Sequence, residues 1–171
     1  MNPMQEIRLE KVTLNIGTGG PGDPLDKAIK LLNKIAQAKP VPTKSKKRIP
    51  TWGLRPGLQI GCKVTVRKKK AEELLKRLLT AKENKLDPSK IDKTGNLSFG
   101  IQEYIDIPGV EYDISIGIIG LEVAVTLERP GFRIKKRQLQ KKKIPVKHQI
   151  TKQDAMKFMK EKFNVTFEEE E

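Results

Sequence analysis

The sequence predicts a single α+β domain in which a largely antiparallel sheet is covered by helices on one face. The predicted strands alternate apolar and polar residues, which is typical of a sheet with one solvated face. The predicted helices do not follow the strands in regular alternation, as they would around a parallel sheet. The length of 171 residues fits one domain.

The first predicted elements are a strand and a helix joined by a glycine-rich loop. Residues 12–16 alternate between apolar and polar types, and Leu9 lies in the opposite phase, which indicates a bulge near Glu10. Asp23 follows the loop and is predicted to be the N-cap of the helix. We expect the helix to end at Pro40 and its preceding lysine.

The next predicted pair is a strand over residues 58–67 and a helix over residues 70–80. In this strand the even-numbered residues are apolar, and the odd-numbered residues are polar or glycine. The helix carries Glu72 and Glu73 in its predicted first turn, where carboxylates interact favourably with the helix dipole. Residues 81–96 are predicted to be a polar connection.

The C-terminal half is predicted to contain three strands, a basic arm and a last helix. The strands cover residues 98–107, 112–119 and 121–128. Residues 129–149 have weak periodicity and are predicted to form a surface arm. Thr151 and Asp154 resemble a capping box for a helix that ends near Phe163. The glutamates of residues 168–171 are predicted to form an acidic tail.

Positive charge is concentrated in two segments that contain no acidic residue. The chain has 35 Lys and Arg against 21 Asp and Glu, a net charge of +14. Residues 27–71 carry 14 of these basic residues and residues 129–153 carry 10, so the rest of the chain is net acidic. Clustering by sign favours a polyanionic partner, above all nucleic acid. The alternatives are a solvated charged face and an anionic membrane surface, and no apolar face accompanies the basic runs to support the latter.

Other functional classes find little support in the residues. No run of 18 apolar residues is present to span a membrane, and the N-terminus lacks a secretory signal pattern. The single Cys62 allows no internal disulfide, which is typical of the cytoplasm, and it is predicted to be a core thiol. One cysteine and one histidine cannot form a zinc site. We therefore expect neither an enzyme nor a cofactor.

Three glycines match the spacing of a dinucleotide-binding loop between a strand and a helix: Gly17, Gly19 and Gly22. Such a loop needs an acidic residue about 20 positions later to bind the ribose hydroxyls, and residues 27–71 contain none. Pro21 also removes an amide that would face the phosphates. The loop is therefore interpreted as a tight turn.

Polar residues on two predicted strands are the first candidate RNA contacts. If the first strand and the strand over residues 58–67 are neighbours, their solvent-facing side chains form one basic, hydrogen-bonding surface, which we call the platform. Its members are Lys11, Thr13, Asn15, Lys63, Thr65 and Arg67.

The loop over residues 48–57 is the second candidate, because it places the only tryptophan among cations in a glycine- and proline-rich stretch. Stacking of a base on an aromatic ring contributes about 1–3 kcal/mol. The alternative is that the tryptophan folds back onto the domain. The candidate contacts in this loop are Arg48, Trp52, Gly53 and Arg55.

Cations elsewhere in the two acid-free segments are predicted to contact RNA phosphates. In the first segment these are Lys39, Lys44, Lys46 and Lys47. In the second segment they are Arg133, Lys135, Lys136, Arg137 and Lys147, together with His148. The histidine lies among lysines, so phosphate contact is the preferred interpretation over general-base catalysis.

A series of motifs, in this order and spacing, resembles the universal large-subunit ribosomal protein L5 family in its archaeal and eukaryotic form. The resemblance covers nearly the whole chain. The motifs are KVTLNIG at residues 11–17, GCKVTVR at 61–67, FGIQEYIDIPG at 99–109, IGIIG at 116–120, RPGF at 129–132 and KHQIT at 147–151.

The resemblance implies an antiparallel sheet covered on one side by helices and a structural role in the ribosome. Family members bind 5S rRNA and attach it in the central protuberance beside ribosomal protein L18, in contact with large-subunit rRNA. Asn15 and Thr65 would belong to the 5S rRNA face, and residues 48–57 would approach the elbow of P-site tRNA. A small-subunit head protein is a further implied partner.

One departure concerns residues 37–40, where Gln-Ala-Lys-Pro replaces the family's usual Gly-Gln-Lys-Pro. A glutamine contact to rRNA is therefore not implied at that point. The alternative function is a free RNA chaperone or a ribosome-associated RNA-binding factor. An RNA-processing enzyme or a nucleotide-dependent factor would need an acidic metal cluster or a general base beside the basic segments, and the sequence offers neither.

Overall fold

The chain folds around an antiparallel sheet, as the sequence predicts, and this sheet has five strands. The computed structural model describes residues 2–167. The strands of the sheet are β1 (Arg8–Gly17), β2 (Val41–Lys44), β3 (Gln59–Arg67), β5 (Leu97–Ile101) and β6 (Leu121–Glu128). A separate parallel pair consists of β4 (Lys85–Leu86) and β7 (Thr166–Phe167). The helices are α1 (Asp23–Ala36), α2 (Lys68–Thr80), α3 (Arg133–Lys136) and α4 (Lys152–Phe163).

The core lies on one face of the large sheet, whose strand order is β2-β3-β1-β6-β5. Because side chains alternate along a strand, Val12 and Leu14 of β1 and Cys62 and Val64 of β3 all point to this face and are buried. Buried residues of α1, α2 and α4 pack into the same cluster. The opposite face of β1 and β3 carries the polar residues, so one face of the sheet is covered and one is open.

Several local predictions are confirmed. The register of β1 against β6 shifts between Leu9 and Lys11, which places a bulge at Glu10. Thr151 accepts a hydrogen bond from the Asp154 backbone and Asp154 accepts one from the Thr151 backbone, which completes the capping box of α4. The strands predicted over residues 58–67 and 121–128 agree with β3 and β6 to within one residue.

The predicted ends of α1 are wrong by a few residues. The N-cap is Gly22 rather than Asp23, because the chain enters the helix with a φ of 109°, a conformation that favours glycine. The helix ends at Ala36, before the predicted stop at Pro40, because Gln37 adopts a left-handed conformation and its N–H bonds back to Asn33.

The start of α2 also differs from the prediction. The helix begins at Lys68, so Glu72 and Glu73 lie beyond its first turn, which contains three lysines instead. The predicted polar connection over residues 81–96 contains β4 and buries Leu86 and Ile91 against the core. The sequence does not predict this strand and these buried residues, because the elements in this segment are short and their apolar residues show no clear periodicity.

The predicted strand over residues 112–119 is absent from the structure, and the one over residues 98–107 is shorter than expected. β5 ends at Ile101, and a 3-10 turn follows at Tyr104–Asp106. In residues 112–119 the alternation of apolar residues is misleading, because Ile116 is buried whereas Ile114 is 86% exposed. The Asp113 carboxylate accepts bonds from Ser115, which stabilises a turn.

The predicted arm is mostly irregular, but it contains α3 and folds back onto the sheet. Its C-terminal part is anchored by the buried Ile144 and by Ile150, which directly follows the arm and is also buried. Within residues 2–167 no helix is long and apolar enough to cross a membrane. The predicted acidic tail, residues 168–171, lies outside the described residues.

Candidate nucleic-acid interface

The platform predicted from the sequence is assembled by the pairing of β1 with β3. In the antiparallel register Lys11 lies opposite Arg67, Thr13 opposite Thr65, and Asn15 opposite Lys63. The two threonine hydroxyls lie 3.4 Å apart. Gly61 lets the strands approach closely, since a Cβ at this position would lie 2.5 Å from the Ile16 carbonyl oxygen. The six candidates therefore form one continuous polar surface.

Glu10 on the bulge sets the charge of one end of the platform. Its side chain is only 8% exposed, and its Oε1 lies 3.3 Å from Arg67 Nη1, 4.0 Å from Lys11 Nζ and 2.5 Å from Lys136 Nζ. Burial raises the pKa of this carboxyl group, but the bonds from Lys136 and Arg67 and the charge of Lys11 outweigh burial and lower it. Glu10 is thus an ionised carboxylate that pairs with three cations.

The opposite end of the platform carries Lys63, which is exposed and has no carboxylate partner in the described chain. Its neighbour Asn15 donates from Nδ2 to Glu122 Oε2 of β6 at 3.1 Å. Glu122 and Glu128 are the outward-facing acids of β6, so negative charge borders the platform on that side. The surface open to an anion is therefore narrower than the sheet and follows β3.

Residues 45–58, which we call the finger, extend from the hairpin between β2 and β3. Ser45 and Leu58 close its base, with a bond of 2.8 Å from the Ser45 N–H to the Leu58 carbonyl. Ile49 and Leu54 exchange two backbone bonds of 3.0 Å across it, and the tip is a 3-10 turn at Pro50–Trp52. The finger is thus a small ordered hairpin.

Trp52 projects from the tip of the finger and is 72% exposed. The alternative that it folds back onto the domain is therefore wrong. The turn is completed by Gly53, whose φ of 65° lies in the left-handed region that favours glycine. Arg48 and Arg55 on either side are also exposed, so a flat aromatic surface is presented between two cations.

Arg129 ties the start of the arm to its end. Its Nη1 donates to the Gln149 carbonyl oxygen at 3.0 Å, and its Nη2 donates to Asp154 Oδ2 at 3.1 Å. His148 is half-buried, with Nε2 at 2.9 Å from the Pro130 carbonyl oxygen and its ring edge-on to Phe132. One ring nitrogen of this candidate thus already has a partner within the protein.

The structure brings the predicted site residues together in three groups. The platform and α3 of the arm meet at Glu10, through its bonds to Arg67 and Lys136. The finger lies at the other end of β3, roughly 26 Å from Arg67 at about 3.3 Å per strand residue. Lys39 and Lys44 are exposed; Lys39 precedes β2, and Lys44 is the last residue of β2, opposite Gln59 of β3.

Sequence reasoning did not identify the acids that shape this interface. Glu10 and Glu122 belong to runs that look like ordinary solvated charge, and their roles depend on strand neighbours that are distant in sequence. The bulge at Glu10 was the available signal, because bulges redirect side chains. The local sequence around Arg129, at the start of the arm, likewise does not indicate which groups this residue bonds to.

Other chemistry is scarce in the described part of the chain. No group of three or more His, Cys, Asp or Glu side chains there is placed to hold a metal ion. Cys62 is fully buried, and burial raises the pKa of its thiol to about 11, in agreement with the predicted core position. The groups that the interface offers to a ligand are its cations and its hydroxyl and amide groups.

Comparison with known proteins identifies the family of this chain. The family model for ribosomal protein L5 matches residues 2–55, and the model for the C-terminal region of that family matches residues 59–158. The large ribosomal subunit protein uL5 of Methanosphaera stadtmanae is 48% identical over 98% of this chain and all of its own length. The uL5 protein of Sulfurisphaera tokodaii is 49% identical over 99% of this chain and 96% of its own length. The chain therefore belongs to the ribosomal protein L5 family, the structural and non-enzymatic uL5 proteins of the large ribosomal subunit.

Proposed function

We propose that this protein binds 5S rRNA and helps to attach it in the central protuberance of the large subunit. The observation that carries the proposal is the β1–β3 register, which aligns Lys11, Thr13 and Asn15 with their partners on β3. Hydroxyl and amide groups between cations suit RNA, whose 2′-hydroxyls and phosphates line a shallow minor groove.

The finger supports a second contact, to P-site tRNA. Its ordered hairpin holds Trp52 and the flanking Arg48 and Arg55 away from the sheet, so they remain available when the platform is occupied. Ribosomal protein L18, large-subunit rRNA and a small-subunit head protein complete the proposed set of partners, in a cytoplasmic ribosome.

The experiment that tests this function is sedimentation of the tagged protein with large subunits in high salt, followed by extraction and sizing of its bound RNA. We expect the protein to sediment with the large subunit and to retain 5S rRNA as the main small RNA. Release from subunits at high salt with mixed RNA sizes would favour a free RNA chaperone or a loosely associated factor. Recovery with subunits but without 5S rRNA would contradict the proposed partner.

A further inference from the structure

A cavity of about 920 Å³ lies between the arm and the C-terminal end of β6. Its walls come from β1, β6, the turn at residues 94–96 and the arm. Six lysines line it, and Glu10 is the one carboxylate among the described residues of its lining. The lysines are Lys11, Lys135, Lys136, Lys141, Lys142 and Lys143. We call this space the lysine cavity.

The charge of the lysine cavity is not balanced within the described chain. Glu10 pairs with Lys136 and lies 4.0 Å from Lys11. Lys135 and the three lysines of residues 141–143 have no carboxylate partner in residues 2–167. Bringing these ammonium groups around one space is unfavourable in the absence of an anion, so the cavity is suited to phosphate.

The lining of the lysine cavity also contains apolar residues. Leu127, Phe132, Ile144 and Ile150 contribute to the lining, together with the polar side chains of Asn96 and Gln149. A phosphate group alone gains nothing from contact with apolar side chains. A nucleotide does, because its base is a flat, largely apolar group with polar edges. The volume is also in the range of pockets that enclose a ligand of this size.

We propose that the lysine cavity binds one unpaired nucleotide of rRNA, with the base against the apolar lining residues and the flanking phosphates on the lysines. The inference rests on the proposed function, since it defines a subsite of the same RNA interface. Paired bases are stacked inside a duplex and cannot enter, whereas bases in loops and bulges can be splayed out into a protein pocket.

Two full-length variants distinguish the effect of the cavity's volume from the effect of its charge. Lys141→Gln/Lys142→Gln/Lys143→Gln removes three positive charges from the lining. Thr126→Trp keeps every charge but fills the space, because Thr126 is a half-exposed residue of the lining. The matched control, Lys69→Gln/Lys70→Gln/Lys76→Gln, removes three exposed charges from α2, outside the cavity. Thr94→Trp is a second filling variant, to be used if Thr126→Trp does not fold.

The readout is base-specific chemical probing, with dimethyl sulfate and a carbodiimide, of complexes with 5S rRNA and with large-subunit rRNA. We expect at least one unpaired nucleotide to be protected by the unmodified protein and by the control, and to be exposed in both cavity variants. The filling variant should bind with the salt dependence of the unmodified protein. If filling the cavity leaves every protection in place, the arm contacts phosphates only and the inference is wrong.

Failure of the inference is distinguishable from failure of the proposed function. Binding of 5S rRNA by the unmodified protein, with protections that do not respond to either cavity variant, would overturn the cavity alone. Absence of any complex with either RNA would overturn the proposed function and the subsite with it.

Discussion

Arg129 and Asp154 lie 25 residues apart in the sequence, and a bond of 3.1 Å joins Arg129 Nη2 to Asp154 Oδ2. The same Asp154 carboxylate closes the capping box of α4 by accepting from the Thr151 N–H. One side chain therefore fixes both the first turn of the last helix and the start of the basic arm. The geometry of the arm depends on this junction.

Asp154→Asn should lower the free energy of unfolding by about 1–3 kcal/mol, because Arg129 is mostly buried and loses its charged partner. Burial raises the pKa of Asp154, but the Thr151 bonds and the Arg129 charge outweigh burial and lower it below its ordinary value of 3.8. A carboxyl group with a lowered folded-state pKa stabilises the fold above its unfolded pKa, and this contribution is lost as the pH falls through the folded value.

Thermal or urea unfolding at several pH values tests this prediction. The difference between Asp154→Asn and the unmodified protein should be full at neutral pH and should disappear in strong acid. A difference that is the same at pH 7 and below pH 3 would contradict the role of the ionised carboxylate. Glu73→Gln, an exposed change on α2, is the control and should have little effect.

Lys63→Glu should weaken 5S rRNA binding and make it less dependent on salt. Lys63 is the exposed platform cation without a carboxylate partner in the described residues, so it is available to a phosphate. Loss of one phosphate contact reduces the slope of log affinity against log salt by about one. Lys76→Glu on α2 changes the net charge equally on another surface and is the matched control. Equal effects of the two variants would mean that overall charge, not the platform, determines binding.

Glu10→Gln should act in the opposite direction on RNA. Without the carboxylate, Arg67 and Lys11 lose their shared partner and become available to phosphates, whereas Lys136 keeps its pair with Glu128. We therefore expect tighter binding at low salt and a slope that is steeper by about one. Titrations of 5S rRNA at several salt concentrations measure both quantities. An unchanged or shallower slope would show that Glu10 orients these cations for RNA rather than competing with it.

The sequence predicts the elements with strong periodicity and misses the features that depend on distant neighbours. The alternation in β3 and β6 is unbroken, and both strands are found where expected. The same period-2 signal fails at residues 112–119, because the Asp113 side chain stabilises a turn there and leaves Ile114 in solvent. The platform residues could be predicted because polar faces follow from alternation. The pairing of Glu10 with Lys136 could not, since it requires the path of the arm.

Trp52→Ala should leave 5S rRNA binding nearly unchanged while weakening retention of P-site tRNA. The side chain is 72% exposed at the tip of the finger, so its removal costs the fold about 0.5 kcal/mol or less. Filter binding of tRNA to reconstituted large subunits measures the effect. Tyr112→Ala removes another exposed aromatic ring and is the control. Loss of 5S rRNA binding in Trp52→Ala would mean that the finger belongs to the rRNA interface.

Cys62 provides a probe of the platform from its buried side. Its β3 neighbours Lys63 and Gly61 lie on the open face, and Cys62 itself pairs with Ile16 of β1. With full burial and a thiol pKa of about 11, only about one thiol in a thousand is ionised at pH 8. Labelling by a disulfide reagent should therefore require opening of the β1–β3 pair. We expect 5S rRNA to slow this labelling in proportion to its occupancy of the protein, because it binds only the closed sheet. Labelling at the same rate with saturating RNA would place the RNA away from the platform.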